Sequence, residues 1–248
     1  MNIGVIGLSK IAAGYERASE THIGAILRAN TKANVVCFDP DKNAQDAAKQ
    51  RFGAIHIGDE ADALKCDVVL ISSPTSTHYQ YVTKALTQRH KPVVVCEKPL
   101  APTYEQGREL VERGDQSGQT LIVNFQRRWV PGVSQWCAAA NQGQFGRRRA
   151  SVFYVGPETR ERFIASASHA LDIAGACGVT AENIDVYPYF DFSVEVRCEQ
   201  SSLTLRKIGD LVPVWENIFH HIAKGDSLPC RAADHLPGMK LVDELCPA

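Results

Sequence analysis

The chain has 248 residues, of which 44% are hydrophobic and 22% charged, and its formal net charge at pH 7 is −1. These are the values of an ordinary globular protein, so they exclude a largely disordered chain. They also argue against a nucleic-acid binder that depends on overall positive charge, and the local run Arg147-Arg148-Arg149 is typical of a solvated strand edge.

The first half of the sequence alternates predicted strands with predicted helices. Apolar runs rich in β-branched residues predict strands, and apolar residues three or four apart predict helices. Strands are predicted over residues 3–6, 33–38, 54–57, 67–71, 92–96 and 120–123, and helices over 11–29, 44–52, 78–88 and 103–117. This alternation indicates βαβ units that build a doubly wound parallel sheet.

The second half has a different pattern after residue 123. Helices are predicted over residues 129–142, 163–177, 215–223 and 236–245, and strands over 149–155, 184–190, 193–198 and 202–207. Consecutive strands joined by short turns indicate an antiparallel or mixed sheet. We therefore predict an α/β protein with two domains, a nucleotide-binding domain over 1–123 and a small α+β domain over 124–248.

The eight cysteines are scattered along the chain and contain no C-x-x-C pair. Several lie in apolar strand-like runs, where a thiol acts as a small hydrophobic group. This usage is typical of a reducing compartment and predicts neither a disulfide framework nor a metal site. The sequence also shows no secretion leader and no apolar run long enough to cross a bilayer, so we expect a cytoplasmic protein with no membrane and no nucleic-acid partner.

A degenerate phosphate-binding loop lies between the first predicted strand and helix. Dinucleotide folds place G-x-G-x-x-G there, and this chain has Gly7 at the first position, Ser9 at the second and Ala12 at the third. Alanine is a known substitute, and the serine hydroxyl can donate to phosphate. The following helix would offer free N–H groups and its positive dipole end. We expect a dinucleotide to contact Gly7, Ser9, Lys10 and Ile11.

Asp39 ends the second predicted strand, where an acidic side chain accepts hydrogen bonds from the adenosine ribose. A carboxylate at this position repels a 2′-phosphate, and Asp41 adds to that repulsion. The sequence therefore predicts NAD in preference to NADP. The alternative is that Asp39-Pro40-Asp41-Lys42 form a polar turn with no role in cofactor binding.

A buried-strand run, Val93-Val94-Val95-Cys96, stops at Glu97, Lys98 and Pro99. Lysine and glutamate are seldom buried unless they are paired or have a function. Parallel sheets bind ligands outside the carboxyl ends of their strands, so Glu97 and Lys98 are candidate site residues. A surface salt bridge is the simpler interpretation.

Four segments in a consistent order resemble the glucose–fructose oxidoreductase / inositol dehydrogenase (Gfo/Idh/MocA) family of NAD(P)-dependent oxidoreductases. They are the turn Ser73-Pro74-Thr75 with His78, the tripeptide Glu97-Lys98-Pro99, the segment 124–131 with Arg127, and His169-x-x-Asp172. The resemblance implies that residues 1–123 form a Rossmann domain. It also implies cofactor contacts from Ser73, Pro74, Thr75, His78, Glu97, Lys98 and Arg127.

The resemblance further implies catalytic roles. Lys98 would lie beside the nicotinamide and the substrate hydroxyl, and burial of a lysine lowers the pKa of its ammonium toward neutrality. Glu97 would position the lysine or the cofactor ribose. His169 would act as the acid/base facing the substrate, and Asp172, one helical turn along, would orient it or bind substrate.

Two features depart from the family pattern. Many members have an aspartate four residues before the histidine, and this chain has Ala165 there. The second half leaves room for only about four strands. The resemblance implies that this sheet forms the substrate wall and the interface of a homo-oligomer, and both implications are weakened by its shortness.

The leading hypothesis is an NAD-dependent oxidoreductase that moves a hydride between the nicotinamide and a hydroxyl- or oxo-bearing carbon of a small molecule, in particular a sugar or sugar derivative. One alternative is a reductase for imines or conjugated double bonds, which would place less demand on the acid/base set. The other is a nucleotide-sensing protein that binds the cofactor and has lost turnover, to which Ser9 and Ala165 point.

Overall fold

The computed structural model describes residues 1–155, 160–189, 193–206, 211–225, 228 and 231–246. The chain forms two compact units. The first contains Met1–Pro102, Glu109–Asn124 and Gly209–Leu228, and the second contains Thr103–Arg108, Phe125–Ile208 and Pro229–Ala248. A segment from the second half of the sequence therefore packs with the nucleotide-binding half.

The secondary structure is as follows in chain order. The strands are β1 Asn2–Ile6, β2 Asn34–Phe38, β3 His56–Ile57, β4 Val68–Ile71, β5 Val93–Cys96, β6 Leu121–Val123, β7 Arg148–Val155, β8 Ile184–Tyr189, β9 Ser193–Cys198 and β10 Ser202–Arg206. The helices are α1 His22–Ala29, α2 Lys42–Phe52, α3 Glu60–Leu64, α4 Thr75–Leu86, α5 Tyr104–Ser117, α6 Val133–Asn141, α7 Arg160–Ala176, α8 Val212–Lys224 and α9 Ala232–Leu245.

The first unit is built on a six-stranded sheet in the order β3-β2-β1-β4-β5-β6, with every neighbouring pair parallel. All four residues of β4 are buried, as expected for a strand covered on both faces. The strand order reverses between β1 and β4. The predicted doubly wound parallel sheet is confirmed, and its ligand-binding edge lies at the carboxyl ends of these strands.

The prediction of one helix over residues 11–29 is wrong in its first half. Residues 10–20 form an irregular segment with two short turns, and α1 begins at His22. The helix starts there because the hydroxyl of Thr21 accepts the backbone N–H of Gly24 at 3.1 Å, as an N-cap does. A Cβ on Gly24 would lie 2.2 Å from a carbonyl oxygen of the irregular segment, so glycine permits their close packing.

Two further predictions need correction. The helix predicted over 129–142 is interrupted because Gly132 adopts a φ of +83°, and α6 begins only after it. The sequence analysis missed α3, although its start has a capping box in which the side chains of Asp59 and Asp62 accept each other's backbone N–H groups. The other predicted elements differ from the observed ones only at their ends, and residues 190 and 207, predicted to end two strands, lie outside the described residues.

The second unit contains a four-stranded sheet in the order β10-β9-β7-β8. β7 and β8 are parallel, and the other pairs are antiparallel, so the predicted mixed sheet is confirmed. α7 packs against both this sheet and α9. The two helices approach closely at glycines: a Cβ on Gly175 would lie 2.6 Å from the nitrogen of Gly238, and a Cβ on Gly238 would lie 2.6 Å from the Cα of Asp172.

Within the ranges given above, the helices are too short or too polar to cross a membrane. The same ranges contain no group of three or more His, Cys, Asp or Glu side chains arranged to hold a metal ion.

The close helix crossing gives a test of the second unit. Gly238→Ala should lower the free energy of unfolding by about 1–3 kcal/mol, because the new methyl group overlaps backbone atoms that cannot move aside. Gly114→Ala in α5 is the matched control, since its Cβ would meet its neighbours only at ordinary contact distances, 3.6 Å from Leu121 and 4.0 Å from the carbonyl oxygen of Gln119. This control should be neutral or stabilising by roughly 0.5–1 kcal/mol. Chemical denaturation measures both, and equal effects would contradict the packing described.

Candidate active site

The phosphate loop begins at Gly7, which ends β1 with a φ of +91°. Its N–H donates to the carbonyl of Phe38 at 2.9 Å, at the end of β2. A Cβ on Gly7 would lie 2.3 Å from the nitrogen of Ser73, in the loop after β4. Both the backbone conformation and the neighbouring loop therefore require glycine. The two loops meet where the strand order reverses, the position at which such sheets bind ligands.

Ser9 stands in the middle of this loop with an extended backbone. Its hydroxyl is buried and has no hydrogen-bond partner among the described residues. The chain then forms a single π-helical turn, Lys10–Gly14, in which Ala12 and Ala13 donate to the carbonyl of Ser9. The expectation of a long helix with its dipole directed at a phosphate is therefore wrong, because five residues align few peptide dipoles.

Asp39 follows β2 and is partly exposed. Its Oδ2 accepts the N–H of Leu8 at 2.7 Å, and its Oδ1 accepts the N–H of Asp41 at 2.8 Å. A carboxylate offers about four acceptor positions, so both oxygens keep acceptor capacity for ribose hydroxyls. Asp39 thus holds the phosphate loop in place and carries the negative charge expected at an NAD site.

The predicted contact residues after β4 lie at the start of α4. Pro74 precedes the helix, Thr75 is its first residue, and the hydroxyl of Thr77 donates to that of Ser73 at 2.7 Å. The ring of His78 is buried between two backbone carbonyls. His78 thereby connects the loop after β4 with the loop after β5, and the hydroxyl of Ser72 connects it with the phosphate loop by donating to the carbonyl of Gly7 at 2.7 Å.

His78 joins these loops through both ring nitrogens. Nδ1 lies 2.7 Å from the carbonyl oxygen of Pro99, and Nε2 lies 2.8 Å from that of Ser73. Burial lowers the pKa of His78, whereas the two carbonyls act to raise it. Its buried position indicates a structural connection between the loops, and its contact with a cofactor stays a prediction.

Glu97 follows β5 and is only 7% exposed. Its Oε1 lies 2.8 Å from Nε2 of His22 and accepts Nδ2 of Asn124 at 2.6 Å, and its Oε2 accepts the backbone N–H of Lys98 at 3.3 Å. Burial acts to raise the pKa of Glu97, but the hydrogen bond and the electrostatic attraction of His22, the charge of Lys98 and the hydrogen bond from Asn124 lower it below its ordinary value. Glu97 is therefore an ionised carboxylate beside a half-buried lysine.

In the second unit, Asp172 is completely buried. It accepts Nε of Arg128 at 2.7 Å and Nη2 at 3.2 Å, and its Oδ1 lies 3.3 Å from Nδ1 of His235. Burial acts to raise the pKa of Asp172, and the charge of Arg128 with the hydrogen bond from His235 lowers it. Asp172 was expected to orient His169 or bind substrate. These partners make it the centre of a buried ion pair that anchors α7, and its expected role toward His169 or substrate stays a prediction.

His169 lies half-buried on α7, with its ring edge-on to Phe125 at a centroid distance of 5.6 Å. Phe125 also contacts His235, with ring centroids 4.2 Å apart. Arg127 is buried in the 3₁₀ turn Gln126–Trp129. The side chain of Ala165 lies outside the described part of the chain. The acid/base role of His169 and the cofactor contact of Arg127 remain predictions.

Sequence reasoning missed several residues that hold these side chains in place. In the first unit they are His22 and Trp215, and in the second they are Arg128 and His235. His22 has no local signal, because a histidine on an apolar helix face is most often part of the core. Arg128 is one of several arginines in the chain, and its buried ion pair with Asp172 becomes visible only in the folded structure.

Comparison with known proteins gives one family. The sequence profile of the oxidoreductase family with an NAD-binding Rossmann fold, GFO_IDH_MocA, matches residues 1–125. Inositol 2-dehydrogenase 2 of Saccharopolyspora erythraea is 32% identical over 151 residues, which cover 59% of this chain and 42% of that protein. D-glucoside 3-dehydrogenase of Escherichia coli is 26% identical over 150 residues, which cover 59% and 40%. The match thus spans about two fifths of each relative's length.

Solved structures extend the likeness to the whole fold. The myo-inositol dehydrogenase of Lactobacillus casei, in complex with NAD(H) and myo-inositol, has a TM-score of 0.73 at 17% identity, over 98% of this chain and 92% of that one. The WlbA dehydrogenase of Bordetella pertussis, in complex with NADH and UDP-GlcNAcA, has a TM-score of 0.69 at 20% identity, over 96% and 93%. At these identities the likeness concerns the fold alone.

The buried histidine beside Asp172 predicts a pH dependence of stability. Burial lowers the pKa of His235 below its ordinary 6.5, although Asp172 acts to raise it. As the pH falls, His235 therefore binds a proton in the unfolded chain before it does so in the folded chain, and stability is lost below about pH 6.5. His235→Asn keeps a donor for Asp172 and does not titrate. Between about pH 7 and 5, the free energy of unfolding of this variant should fall less steeply than that of the wild type. The two slopes should differ by at most about 1.4 kcal/mol per pH unit.

Urea denaturation across this pH range measures the difference. Burial also lowers the pKa of His78, so this residue contributes to the pH dependence as well. Its contribution is the same in the wild type and the variant and cancels when the two are compared. Parallel curves for the wild type and the variant would contradict the assignment to His235.

Proposed function

The chain belongs to the Gfo/Idh/MocA oxidoreductase family with its NAD-binding Rossmann fold, and from this premise we propose that it transfers a hydride between NAD and a hydroxyl- or oxo-bearing carbon of a sugar or related polyol. One observation carries the proposal. The phosphate loop with Asp39 and the pair Glu97-Lys98 lie at the carboxyl edge of the same parallel sheet. That edge is where a dinucleotide binds across the reversal of strand order.

The residues of the first unit fit the cofactor. Gly7 leaves the phosphate loop without a side chain at its tightest point, and the hydroxyl of Ser9, which has no hydrogen-bond partner in the described part of the chain, would be a donor for phosphate. Asp39 would accept the ribose hydroxyls and disfavour a 2′-phosphate. When bound, the nicotinamide supplies the hydride chemistry.

The protein's own contribution is proton management and orientation. Lys98 would hold or release the proton of the substrate oxygen, with the ionised Glu97 beside it as its counter-charge. His169 is proposed as the second acid/base group. The ion pair of Arg128 with Asp172 would hold α7, and with it His169, in a constant position.

A second candidate function is cofactor binding without turnover. It is favoured by Ala165, which stands where many family members have an aspartate, and by the engagement of Asp172 with Arg128 and His235. Reduction of an imine or a conjugated double bond would need less of this machinery.

We also propose a cytoplasmic location and assembly as a homo-oligomer through the second sheet. The location is supported by cysteines that remain thiols in the structure, namely Cys37, Cys66, Cys96, Cys137, Cys177 and Cys198. Assembly would use the four-stranded mixed sheet of the second unit.

Asp39→Asn tests the cofactor assignment. Loss of the charge should weaken NADH binding roughly 10- to 150-fold, because a hydrogen bond to a charged group contributes about 1.5–3 kcal/mol. NADPH binding should weaken less, since the repulsion of its 2′-phosphate is removed. Fluorescence titration measures both, with Asp46→Asn on the exposed face of α2 as the charge-matched control. Equal effects on NADH and NADPH would contradict the role of Asp39.

Lys98→Met tests the chemistry. Turnover should fall by about 10²- to 10⁴-fold with NADH affinity retained, because the variant loses the proton-transfer group and keeps the binding loop. Lys65→Met at an exposed site is the control. The assay panel should contain sugars and polyols, imines and conjugated carbonyl compounds. NADH binding without turnover on the whole panel would favour the second candidate function.

A further inference from the structure

An irregular segment follows the phosphate loop, and two of its side chains pack together. The ammonium of Lys10 lies over the aromatic ring of Tyr15, 5.3 Å from the ring centroid. The stem of Lys10 runs along Gly14, because a Cβ built on that glycine would meet Cγ and Cβ of the lysine at 3.6 and 3.7 Å. The distance to the ring is that of a cation–π interaction, so Tyr15 restricts where the charge of Lys10 can lie.

The backbone that carries Tyr15 is held from a neighbouring helix. Arg51 on α2 donates from Nη1 to the carbonyl of Ala13 at 2.8 Å and from Nη2 to the carbonyl of Glu16 at 2.9 Å. These two carbonyls stand on either side of Gly14 and Tyr15 in the sequence. Because a guanidinium is planar and rigid, it fixes the spacing of the two carbonyls and with it the direction in which the ring projects.

Lys10 and Tyr15 stand at the same edge of the sheet as the phosphate loop. Lys10 directly follows Ser9, whose hydroxyl is buried without a partner among the described residues. Burial raises the pKa of the half-buried Tyr15 hydroxyl, and the charge of Glu97 raises it further, so the ring lies within electrostatic range of the carboxylate after β5. All of these residues belong to the first unit.

The charge of Lys10 is not used within the described part of the chain. The side chain is exposed, and none of the ion pairs of the described residues includes it. A long helix after the phosphate loop would direct its positive dipole end at a bound phosphate, whereas the five-residue turn Lys10–Gly14 aligns few peptide dipoles. A side-chain cation is therefore the source of positive charge that this segment offers to an anionic ligand.

We propose that Tyr15 is a positioning residue for cofactor binding: its ring holds the ammonium of Lys10 beside the pyrophosphate of the dinucleotide, in place of a helix dipole. The inference rests on the proposed function only for the presence of a dinucleotide at this edge of the sheet. It adds to that function the ring that directs Lys10 and, through the two carbonyls that Arg51 binds, the reason why the ring keeps its place.

The first test removes the charge. Lys10→Gln should weaken the binding of NADH and of ADP-ribose roughly tenfold or more at low salt, because a charge-assisted contact with the pyrophosphate is lost. Adenosine, which has no phosphate, should bind the variant and the wild type equally. The loss should shrink in about 0.5 M salt, since mobile ions screen exposed charges. Calorimetry measures all three ligands.

Lys32→Gln is the matched control, since this exposed lysine precedes β2 and lies at the opposite ends of the strands. It should leave the affinities for NADH, ADP-ribose and adenosine unchanged. An unchanged affinity of Lys10→Gln for ADP-ribose, or an equal loss for adenosine, would overturn the proposal.

The second test removes the ring. Tyr15→Leu should weaken ADP-ribose binding about two- to fivefold, which is the contribution of a cation–π contact at an exposed site. Tyr15→Phe keeps the ring and should retain this affinity. In the Lys10→Gln background Tyr15→Leu should have no further effect, because no ammonium is left to position. Equal losses in both backgrounds would show that Tyr15 only supports the fold, and would overturn the proposal.

A spectroscopic measurement on the wild type covers the case in which Tyr15→Leu fails to fold. Protons above an aromatic face are shifted upfield by the ring current, so the ε-methylene protons of Lys10 should resonate upfield of those of Lys32. They should move again when ADP-ribose binds and stay in place when adenosine binds. Ordinary lysine shifts, or no response to ADP-ribose, would overturn the proposal.

The two proposals fail in different ways. Binding of NADH and ADP-ribose that depends on Lys10 and Tyr15, without hydride transfer to any compound of the panel, would defeat the proposed function and leave the inference intact. Hydride transfer by a protein whose affinity for ADP-ribose is the same with and without the charge of Lys10 would defeat the inference and leave the proposed function intact.

Discussion

A buried carboxylate at the end of β5 is the constraint on which the first unit depends. Moving an ionised carboxylate out of water costs several kcal/mol unless hydrogen bonds and an opposite charge compensate it. Glu97 receives this compensation from α1, from the residue after β6 and from its own neighbour Lys98. The charge of Glu97 thereby links the position of α1 to that of the residue after β6. Through the hydrogen bond between His22 and Trp215, it is also linked to the position of α8.

The second unit meets the same requirement with different residues. Asp172 is buried in the middle of α7, and Arg128 and His235 reach it from the 3₁₀ turn and from α9. The glycines at positions 175 and 238 let the two helix backbones approach closely enough for these bonds to form. In each unit, a charge that is costly to bury selects one arrangement of helices, because any other arrangement would leave it unpaired.

The phosphate loop departs from its usual form in a way that has a physical explanation. Gly7 keeps the left-handed backbone that the turn requires, and Asp39 fastens the loop through the N–H of Leu8. The long helix that normally follows is replaced by a single turn and an irregular segment. Arg51 on α2 stabilises that segment by donating to two of its carbonyls, those of Ala13 and Glu16.

Local sequence patterns determined the strands, the parallel sheet and the positions of Gly7, Asp39 and Lys98, because strand periodicity and the turn at each strand end are properties of neighbouring residues. They also indicated the mixed second sheet. The irregular segment over 10–20 and the partners of Asp172 and Glu97 were decided only by the tertiary structure. His22, Trp215 and Arg128 look ordinary in the sequence, since the charge that each one serves lies far away along the chain. The sequence shows where a carboxylate stands, and only the folded chain shows what neutralises it.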